Sequence, residues 1–515
     1  MFNELLSKEG DLTKKIFLSI CLLGVILICP LQPQSGEKKE SGFIDKDLSV
    51  TKHSLKLNGD IINYTATAGI LPLKSEEGKP KAKIYFTAYT KDGVKDSAAR
   101  PITFAFNGGP GSASVWLHMG AFGPKKVSMT EEGLAPSRPF RLIDNDYTLL
   151  DITDLIFLDP VNTGYSRASE GENSSQFFGY QNDIESVGEF IRVYITKFER
   201  WSSPKFILGE SYGTIRASGL AGFLQGRSLG MYLDGVILVS AVLNSLVKDF
   251  SPGNDLPYIY FFPGYTAAAW YHKKLPQDLL DRELEDVLQE VETFALGEYN
   301  NALSLGNELP DNRKNEMIQK VARYSGLSVD YVEQSNMRIN LYRFLKELLR
   351  EDHYAIGRID GRFKGIETDA AGERFAADPS TTATTGAFSA LFNHYVRNDL
   401  KYTNENVYAI SGNVRPWPYP NENSRTSYSD SIEVLSESMS QNQSLQIFVA
   451  NGYYDFATPY FATKYAISHL GLNSEFKDRV TMAYYQAGHM MYIREKSHQK
   501  LKEDLVKFYK KAIGY

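Results

Sequence analysis

The sequence is poor in cysteine and shows no marked excess of charge. Its 515 residues include two cysteines, Cys21 and Cys29, so disulfides cannot hold the body of the protein together and a large hydrophobic core must do so. The 56 basic and 62 acidic residues give a net charge of −6 without long blocks of one sign, so nucleic acid is not an expected partner. Hydrophobic residues make up 43% of the chain, which excludes a disordered or collagen-like protein.

Motifs for metals and nucleotide cofactors are also absent from the sequence. There is no His-Glu-x-x-His motif, and the body of the chain has no cysteine pair. The glycine-rich segment 108–111 lacks the spacing and the acidic partner of a dinucleotide-binding loop. We therefore expect neither a metal nor a cofactor.

One apolar run lies near the N-terminus. Lys14 and Lys15 precede about 14 apolar residues, a layout typical of a secretory signal and too short for a comfortable membrane span. The segment ending at Cys29 resembles a bacterial lipobox, although Ile28 stands where that pattern has a small residue. We expect residues 1–30 to be a signal peptide or a lipoprotein or membrane anchor, and residues 31–42 to be a linker. A periplasmic, a secreted and a membrane-tethered protein all remain open, and in each case the body is exported.

The body of the chain predicts an α/β fold. An Asn-Gly turn at 58–59 between alternating segments predicts an N-terminal antiparallel hairpin. Short apolar runs alternate with helical segments such as 183–198, which predicts buried parallel strands. These runs are 102–106, 154–158, 205–208, 236–239 and 446–450.

A different pattern interrupts the strands between residues 251 and 385. Charged amphipathic segments predict helices over 278–295, 312–324 and 329–350, and a threonine-rich stretch at 381–385 is expected to be a loop. We therefore predict a mainly helical cap at 251–385, inserted between a first core part at 43–250 and a second at 386–515. The C-terminus from Arg494 is predicted to be an amphipathic closing helix.

Four segments carry the residue types of nucleophilic catalysis. Gly209-Glu-Ser-Tyr-Gly213 follows a predicted strand, and its glycines allow the tight strand-to-helix turn that exposes a nucleophilic serine. Asp455 and His489 follow two later strands, in the chain order serine, acid, histidine that this arrangement requires. Asn107-Gly-Gly-Pro-Gly111 follows the strand 102–106, where a glycine-rich loop donates a backbone N–H to an oxyanion.

These segments resemble the serine carboxypeptidase family of the α/β-hydrolase fold. The resemblance is carried by 107–111, by Leu158-Asp-Pro-Val-Asn-Thr-Gly-Tyr-Ser166, by 209–212 and by the neighbourhoods of Asp455 and His489. It implies a mostly parallel central sheet and a carboxypeptidase that acts on peptides through an acyl-enzyme intermediate.

The resemblance also implies a role for each site residue. Ser211 would be the nucleophile, His489 would transfer the proton and Asp455 would orient His489. The backbone N–H groups of Gly109 and Tyr212 would form the oxyanion hole. The side chains of Asn107 and Glu210 would bind the C-terminal carboxylate of the peptide, which requires a protonated Glu210 because two carboxylates at contact distance repel.

The sequence departs from the family pattern near the expected carboxylate site. Ala105 stands where the family usually has tryptophan, and Ala121 stands where it usually has a glutamate that shares a hydrogen bond with the one beside the nucleophile. Without that second glutamate we expect a weaker preference for acid or an altered carboxylate site. Two alternatives therefore stay open: an acyltransferase or esterase with the same triad, and a non-catalytic surface binding protein.

Overall fold

The computed structural model describes residues 48–419, 431–471 and 474–514. Residues 45–515 form one compact unit. Both cysteines, the predicted signal or anchor and the predicted linker lie outside the described residues. Within the described part of the chain, no helix is both long and apolar enough to cross a membrane.

The centre of the molecule is a ten-stranded mixed sheet. Its strands lie in the order β1-β2-β3-β7-β4-β9-β10-β13-β14, and β8 pairs with β3. The strands from β7 to β14 in this order run parallel, whereas β1, β2, β3 and β7 are paired antiparallel. The other four strands form two short antiparallel pairs, β5 with β6 and β11 with β12. The strands are β1 Leu48–Leu57, β2 Asp60–Lys74, β3 Pro80–Lys91, β4 Ile102–Phe106, β5 Lys125–Val127, β6 Leu142–Asp144, β7 Asp154–Leu158, β8 Arg167–Ala168, β9 Lys205–Ser211, β10 Gly235–Ala241, β11 Tyr354–Ile356, β12 Lys364–Ile366, β13 Gln446–Gly452 and β14 Val480–Tyr485.

Fourteen α-helices lie in the described part of the chain. They are α1 Tyr180–Lys197, α2 Tyr212–Gln225, α3 Leu256–Tyr271, α4 Gln277–Leu280, α5 Leu284–Phe294, α6 Asn300–Leu305, α7 Asp311–Ser325, α8 Val329–Gln334, α9 Leu341–Glu347, α10 Pro379–Asn398, α11 Ile432–Gln441, α12 Tyr460–Ser468, α13 Ser474–Lys477 and α14 Glu495–Ile513.

Both faces of the sheet are covered by helices. Along β9, Phe206 and Leu208 pack in one core cluster with residues of α14, whereas Ile207 packs in another with residues of α1 and α2. This alternation explains why the parallel strands are apolar at every position: each face of the sheet is buried. A third cluster joins the helices α3, α5, α7 and α9 to side chains that follow β13.

Most of the predicted core elements are confirmed. The hairpin β1–β2 turns at Asn58 and Gly59, both with positive φ, and all five predicted apolar runs are strands. The predicted helices at 183–198 and after Arg494 correspond to α1 and α14. The predicted fold, an α/β-hydrolase with a mostly parallel sheet and an N-terminal antiparallel hairpin, is therefore confirmed.

Three local predictions in the helical region were wrong. The predicted helix at 278–295 is divided into α4 and α5. The threonine-rich stretch 381–385 lies within α10, because Asp378 accepts a hydrogen bond from the Ser380 backbone N–H and Pro379 occupies the first turn of the helix. The predicted helix at 329–350 is divided into α8 and α9. Asn336 and Met337 between them have positive φ, and Asn340 caps the second helix.

The predicted boundary between residues 385 and 386 falls inside α10. The division of the chain into two core parts and a helical cap stays a prediction.

Candidate active site

The predicted nucleophile lies at a sharp turn between β9 and α2. Ser211 has φ 59° and ψ −127°, a sparsely populated backbone conformation for a residue with a side chain. A Cβ atom on Gly209 would lie 2.0 Å from the carbonyl oxygen of Gly213, and one on Gly213 would lie 2.9 Å from that of Phe106. The turn therefore requires glycine at both positions, as the sequence pattern predicts.

The predicted histidine and aspartate form a hydrogen-bonded pair. His489 Nδ1 lies 2.7 Å from Asp455 Oδ2, and both side chains are almost fully buried. Asp455 also accepts hydrogen bonds from the backbone N–H groups of Ala457 and Thr458 and from the Thr458 hydroxyl. With Nδ1 directed at the carboxylate, the histidine leaves Nε2 available to a serine.

Electrostatics favour the protonated form of His489. Burial works against the charged imidazolium, but the nearby Asp455 carboxylate and its hydrogen bond outweigh this effect, and the Glu210 carboxylate adds to them. The pKa of His489 is therefore raised from its usual value. A histidine with a raised pKa is a stronger base for deprotonating a serine.

A segment that sequence reasoning missed holds both loops of this pair in place. The backbone N–H of His489 donates to the carbonyl of Ile359 at 2.8 Å, and that of Phe456 donates to the carbonyl of Arg358 at 3.1 Å. The buried Asp360 carboxylate accepts from the backbone N–H of Gly488 at 3.0 Å. Residues 358–360 are distant from both loops along the chain, so no sequence pattern indicated this support.

The glycine-rich loop after β4 packs directly against the nucleophile turn. A Cβ atom on Gly108 would lie 2.4 Å from the backbone nitrogen of Tyr212, so the two backbones are in contact. Gly109 has φ +106°, which favours glycine. Among the described residues, the backbone N–H groups of Gly109 and Tyr212 have no hydrogen-bond acceptor. They are therefore free to donate to a substrate oxygen.

Glu210 and Asn107 lie side by side beneath this loop. Burial raises the pKa of Glu210 to about 7, against the opposing effects of His489, the Tyr492 hydroxyl and the Asn107 side chain. Tyr492 donates to Glu210 Oε2 at 2.7 Å. The Asn107 Oδ1 atom accepts from the backbone N–H of Leu117 at 3.1 Å, which directs the amide NH₂ toward the other polar groups. Tyr492 was not indicated by the sequence analysis.

The two alanines that depart from the family pattern are buried. Ala105 lies on β4 in the core cluster that faces α14. Ala121 lies in a helical turn, and its carbonyl accepts from Asn145 Nδ2 and pairs with His498 Nε2. The raised pKa of Glu210 therefore arises from burial without a second glutamate at position 121. The weaker preference for acid stays a prediction. Its argument is weakened, because burial raises the pKa of Glu210 without a second glutamate.

A single cavity of about 360 Å³ brings most of these residues together. Five of the predicted site residues line it: Asn107, Gly109, Glu210, Ser211 and His489. Asp455 lies behind His489, and Tyr212 follows Ser211 at the start of α2. Within residues 48–419, 431–471 and 474–514, no group of three histidine, aspartate or glutamate side chains could hold a metal ion. The arrangement is suited to attack by a serine on a carbonyl carbon.

The order of the strands explains how distant residues meet. Asn107, Ser211, Asp455 and His489 follow the carboxyl ends of β4, β9, β13 and β14, which run parallel in one sheet. Parallel strands bring these ends to the same edge, where ligand sites form in α/β proteins. The fold and this site define an α/β-hydrolase.

The chain belongs to the serine carboxypeptidase family, because the model of that family matches residues 61–507. Serine carboxypeptidase-like 28 of Arabidopsis thaliana is 24% identical over 248 residues, which cover 48% of this chain and 50% of that protein. Carboxypeptidase Y of Saccharomyces cerevisiae is 27% identical over 188 residues, which cover 34% of this chain and 32% of that protein. This chain thus spans half the length or less of these curated relatives.

A solved structure shows the same fold. The crystal structure of KEX1ΔP, a prohormone-processing carboxypeptidase from Saccharomyces cerevisiae, has a TM-score of 0.53 and 14% sequence identity to this chain. The comparison covers 86% of this chain and 91% of that one.

Proposed function

We propose that this protein is a serine carboxypeptidase that releases C-terminal residues from peptides through an acyl-enzyme intermediate. One observation carries the proposal beyond the family: the nucleophile turn, the His489–Asp455 pair and the Asn107–Glu210 pair all meet at one cavity. The first two supply chemistry on a carbonyl group. The last supplies a place for the free carboxylate that distinguishes the end of a peptide from its middle.

Acylation follows from the positions of the side chains. Ser211 Oγ attacks the scissile carbonyl carbon and His489 Nε2 takes the hydroxyl proton, while Asp455 stabilises the resulting imidazolium. The oxyanion accepts hydrogen bonds from the free N–H groups of Gly109 and Tyr212. His489 then gives its proton to the leaving amine, the C–N bond breaks, and the C-terminal residue departs.

Deacylation repeats these steps with water. His489 removes a proton from a water molecule, whose oxygen attacks the ester carbonyl of the acyl-enzyme. The tetrahedral intermediate collapses, Ser211 Oγ recovers the proton from His489, and the shortened peptide is released with a new carboxylate.

Recognition of the terminal carboxylate depends on the protonation of Glu210. A buried carboxyl group with a pKa of about 7 keeps its proton in mild acid and can donate a hydrogen bond to the substrate carboxylate. The Asn107 amide donates beside it. Above that pKa, Glu210 is an anion and repels the substrate.

The test compares N-blocked dipeptides as free acids and as C-terminal amides, between about pH 4 and pH 8. Wild type and Ser211→Ala are compared with the same peptides, since the serine variant keeps the fold but lacks the nucleophile. A strong preference for free acids that Ser211→Ala abolishes is the expected result. Cleavage of esters or amides without that preference would instead indicate the esterase or acyltransferase alternative, and no Ser211-dependent turnover would favour a non-catalytic protein.

We further propose that residues 251–385 form a cap that contributes to substrate selection. Its helices α3, α5, α7 and α9 share one core cluster, and its residues Arg358 and Ile359 line the cavity. Substitutions at Arg358 should therefore change which peptides are cleaved more than they change stability. An effect on stability alone would contradict the cap assignment.

Export is proposed from the sequence of residues 14–30. The basic pair and the apolar run are those of a secretory signal, and Cys29 is the residue that a lipoprotein would modify. The full chain and a Cys29→Ser control are expressed in a bacterium, and the mass of the mature N-terminus is measured. This measurement distinguishes a lipoprotein from a protein with a cleaved signal and from one with an uncleaved anchor. A full-length protein retained in the cytoplasm would contradict export.

A further inference from the structure

Two cationic side chains line the catalytic cavity without a role in the proposed mechanism. Lys248 lies at the end of the helical turn Leu246–Lys248 that follows β10, and Arg358 lies in the loop after β11. Both line the same cavity as Ser211 and His489. Any peptide that reaches the nucleophile therefore passes close to two positive charges.

Arg358 is fixed beside the catalytic pair by its backbone. Its carbonyl accepts from the N–H of Phe456, the residue after the catalytic aspartate, and its own N–H donates to Asp378 Oδ1 at 3.2 Å. The next carbonyl, that of Ile359, accepts from the N–H of His489. The guanidinium thus extends from a segment that is bonded to both catalytic loops.

Neither cation has a carboxylate partner in the part of the chain that the structure describes. Among the described residues, no ion pair or side-chain hydrogen bond engages the Lys248 ammonium or the Arg358 guanidinium. Two acidic residues along these contacts are already engaged: Asp378 accepts from Ser380 and from backbone groups, and Asp455 accepts from His489 and Thr458. The cavity therefore contains two uncompensated positive charges.

Three buried arginines of the protein show a contrasting arrangement. Arg200 pairs with Asp154, Arg216 with Asp183 and Arg362 with Asp360, and in each case both side chains are nearly inaccessible to solvent. A carboxylate thus neutralises each of these three buried cations, because an unpaired buried charge is costly. Two cations left unpaired at the catalytic cavity are consistent with a ligand that brings the negative charge.

Lys248 keeps its charge under the conditions in which Glu210 keeps its proton. Burial lowers the pKa of Lys248 to about 8, repulsion from Arg358 adds to the effect, and Asp455 opposes it. Lys248 therefore remains charged in mild acid, where burial keeps Glu210 protonated.

We propose that Lys248 and Arg358 form an anion subsite that selects peptides with an acidic side chain next to the scissile bond. This inference rests on the proposed carboxypeptidase function, and it adds a substrate class to it. The acidic residue is the last or the next-to-last of the peptide, and the experiment distinguishes these two positions.

The experiment uses four N-blocked peptides with free C-termini. Two carry glutamate at the last or the next-to-last position, and two carry glutamine there, which has the same shape without the charge. Values of kcat/KM are measured at about pH 6 for wild type, Lys248→Gln, Arg358→Gln and the double variant. Arg313→Gln, which removes an exposed cation of α7, is the matched control.

At one of the two positions, wild type should prefer glutamate over glutamine by about tenfold or more, equivalent to about 1.4 kcal/mol. The ratio should fall to about twofold or less in the double variant and stay at the wild-type value in Arg313→Gln. Equal rates for glutamate and glutamine peptides in wild type would overturn the proposal. So would variants that slow both peptides equally and weaken the preference for free acids over amides, because the cations would then bind the terminal carboxylate.

A binding measurement separates this proposal from the proposed catalytic function. Calorimetric titration of the same peptides into Ser211→Ala reports affinity without turnover. If wild type cleaves none of the peptides, the subsite still predicts tighter binding of glutamate than of glutamine, lost in the triple variant with Lys248→Gln and Arg358→Gln. Equal affinities, or no binding of any peptide, would overturn it.

Discussion

The substitution Glu210→Gln gives the sharpest test of how the site uses its buried carboxyl group. Glutamine keeps the shape of protonated glutamate and can donate a hydrogen bond at every pH. The Tyr492 hydroxyl can still donate to its side-chain oxygen. The variant therefore mimics the proposed active form of Glu210 and removes only its ionisation.

The magnitude follows from the pKa of Glu210, which burial raises to about 7. The protonated fraction falls from one half at that pH to about one tenth one unit higher. The kcat/KM of wild type on free-acid peptides should therefore fall about fivefold between about pH 7 and pH 8, and about tenfold per unit beyond. In Glu210→Gln this alkaline fall should disappear. The acid limb should stay in place, because Glu210 is already uncharged in the pH range where His489 takes up its proton.

The assay is a pH profile of kcat/KM for one N-blocked dipeptide as a free acid and for its ester or amide. The uncharged substrate is an internal control, since it does not need a neutral Glu210 and should show no alkaline fall of this origin. The reasoning would be refuted if wild type and Glu210→Gln had the same alkaline limb on the free acid. It would also be refuted if the uncharged substrate showed an equal fall.

Four further predictions concern the surroundings of the site. Tyr492→Phe removes a hydrogen bond that lowers the pKa of Glu210, so the alkaline limb of the free-acid profile should move to higher pH; an unchanged limb would contradict this. Below about pH 4.5 the Glu210 carboxyl is protonated in both folded and unfolded chains, but between about pH 4.5 and 7 only the folded chain keeps the proton. Wild type should therefore lose about 3 kcal/mol of unfolding free energy over this range relative to Glu210→Gln, measured by urea denaturation. Parallel stability curves of the two proteins would contradict this. Asp360→Asn breaks a buried pair with Arg362 and should lower the unfolding free energy by about 3 to 5 kcal/mol. Glu132→Gln removes the exposed partner of the same arginine and should lower it by about 1 kcal/mol or less. Equal losses of unfolding free energy in the same assay would contradict this difference. Gly209→Ala should abolish activity and soluble folding, judged by circular dichroism, because its Cβ would lie 2.0 Å from a backbone oxygen; a folded and active variant would show that the turn can relax.

Much of the catalytic site could be predicted because its parts are local patterns at the ends of strands. The segment Gly209–Gly213 specifies its own turn, since both glycines are required by close backbone contacts. Asp455 and His489 each follow a predicted strand, and parallel strands align their ends. The sequence thus indicated which residues meet, although it contained no distances.

The supporting residues could not be predicted, because their contacts join segments far apart in the chain. Asp360 and Arg358 come from the helical region, and their bonds to Gly488 and Phe456 depend on how that region packs. Lys248 resembled any surface lysine until the cavity around it was known. The pKa of Glu210 likewise depends on burial by distant segments, which composition cannot give.

The predicted helix boundaries in the helical region were wrong for a related reason. Periodicity showed that 329–350 is amphipathic, but the positive φ angles of Asn336 and Met337 that divide it arise from tertiary packing. The threonine-rich stretch in α10 has weak helix propensity, and the cap at Asp378 together with burial of one face outweighs it.

The central claim is that Ser211 forms an acyl-enzyme with the peptide during removal of its last residue. The most direct measurement is rapid acid quenching of wild type with an N-blocked dipeptide free acid, followed by mass spectrometry of the digested protein. The account predicts an added mass equal to the acyl group on the peptide that contains Ser211, and no such mass in Ser211→Ala. Turnover that persists in Ser211→Ala, or an acyl group found on another residue, would contradict it.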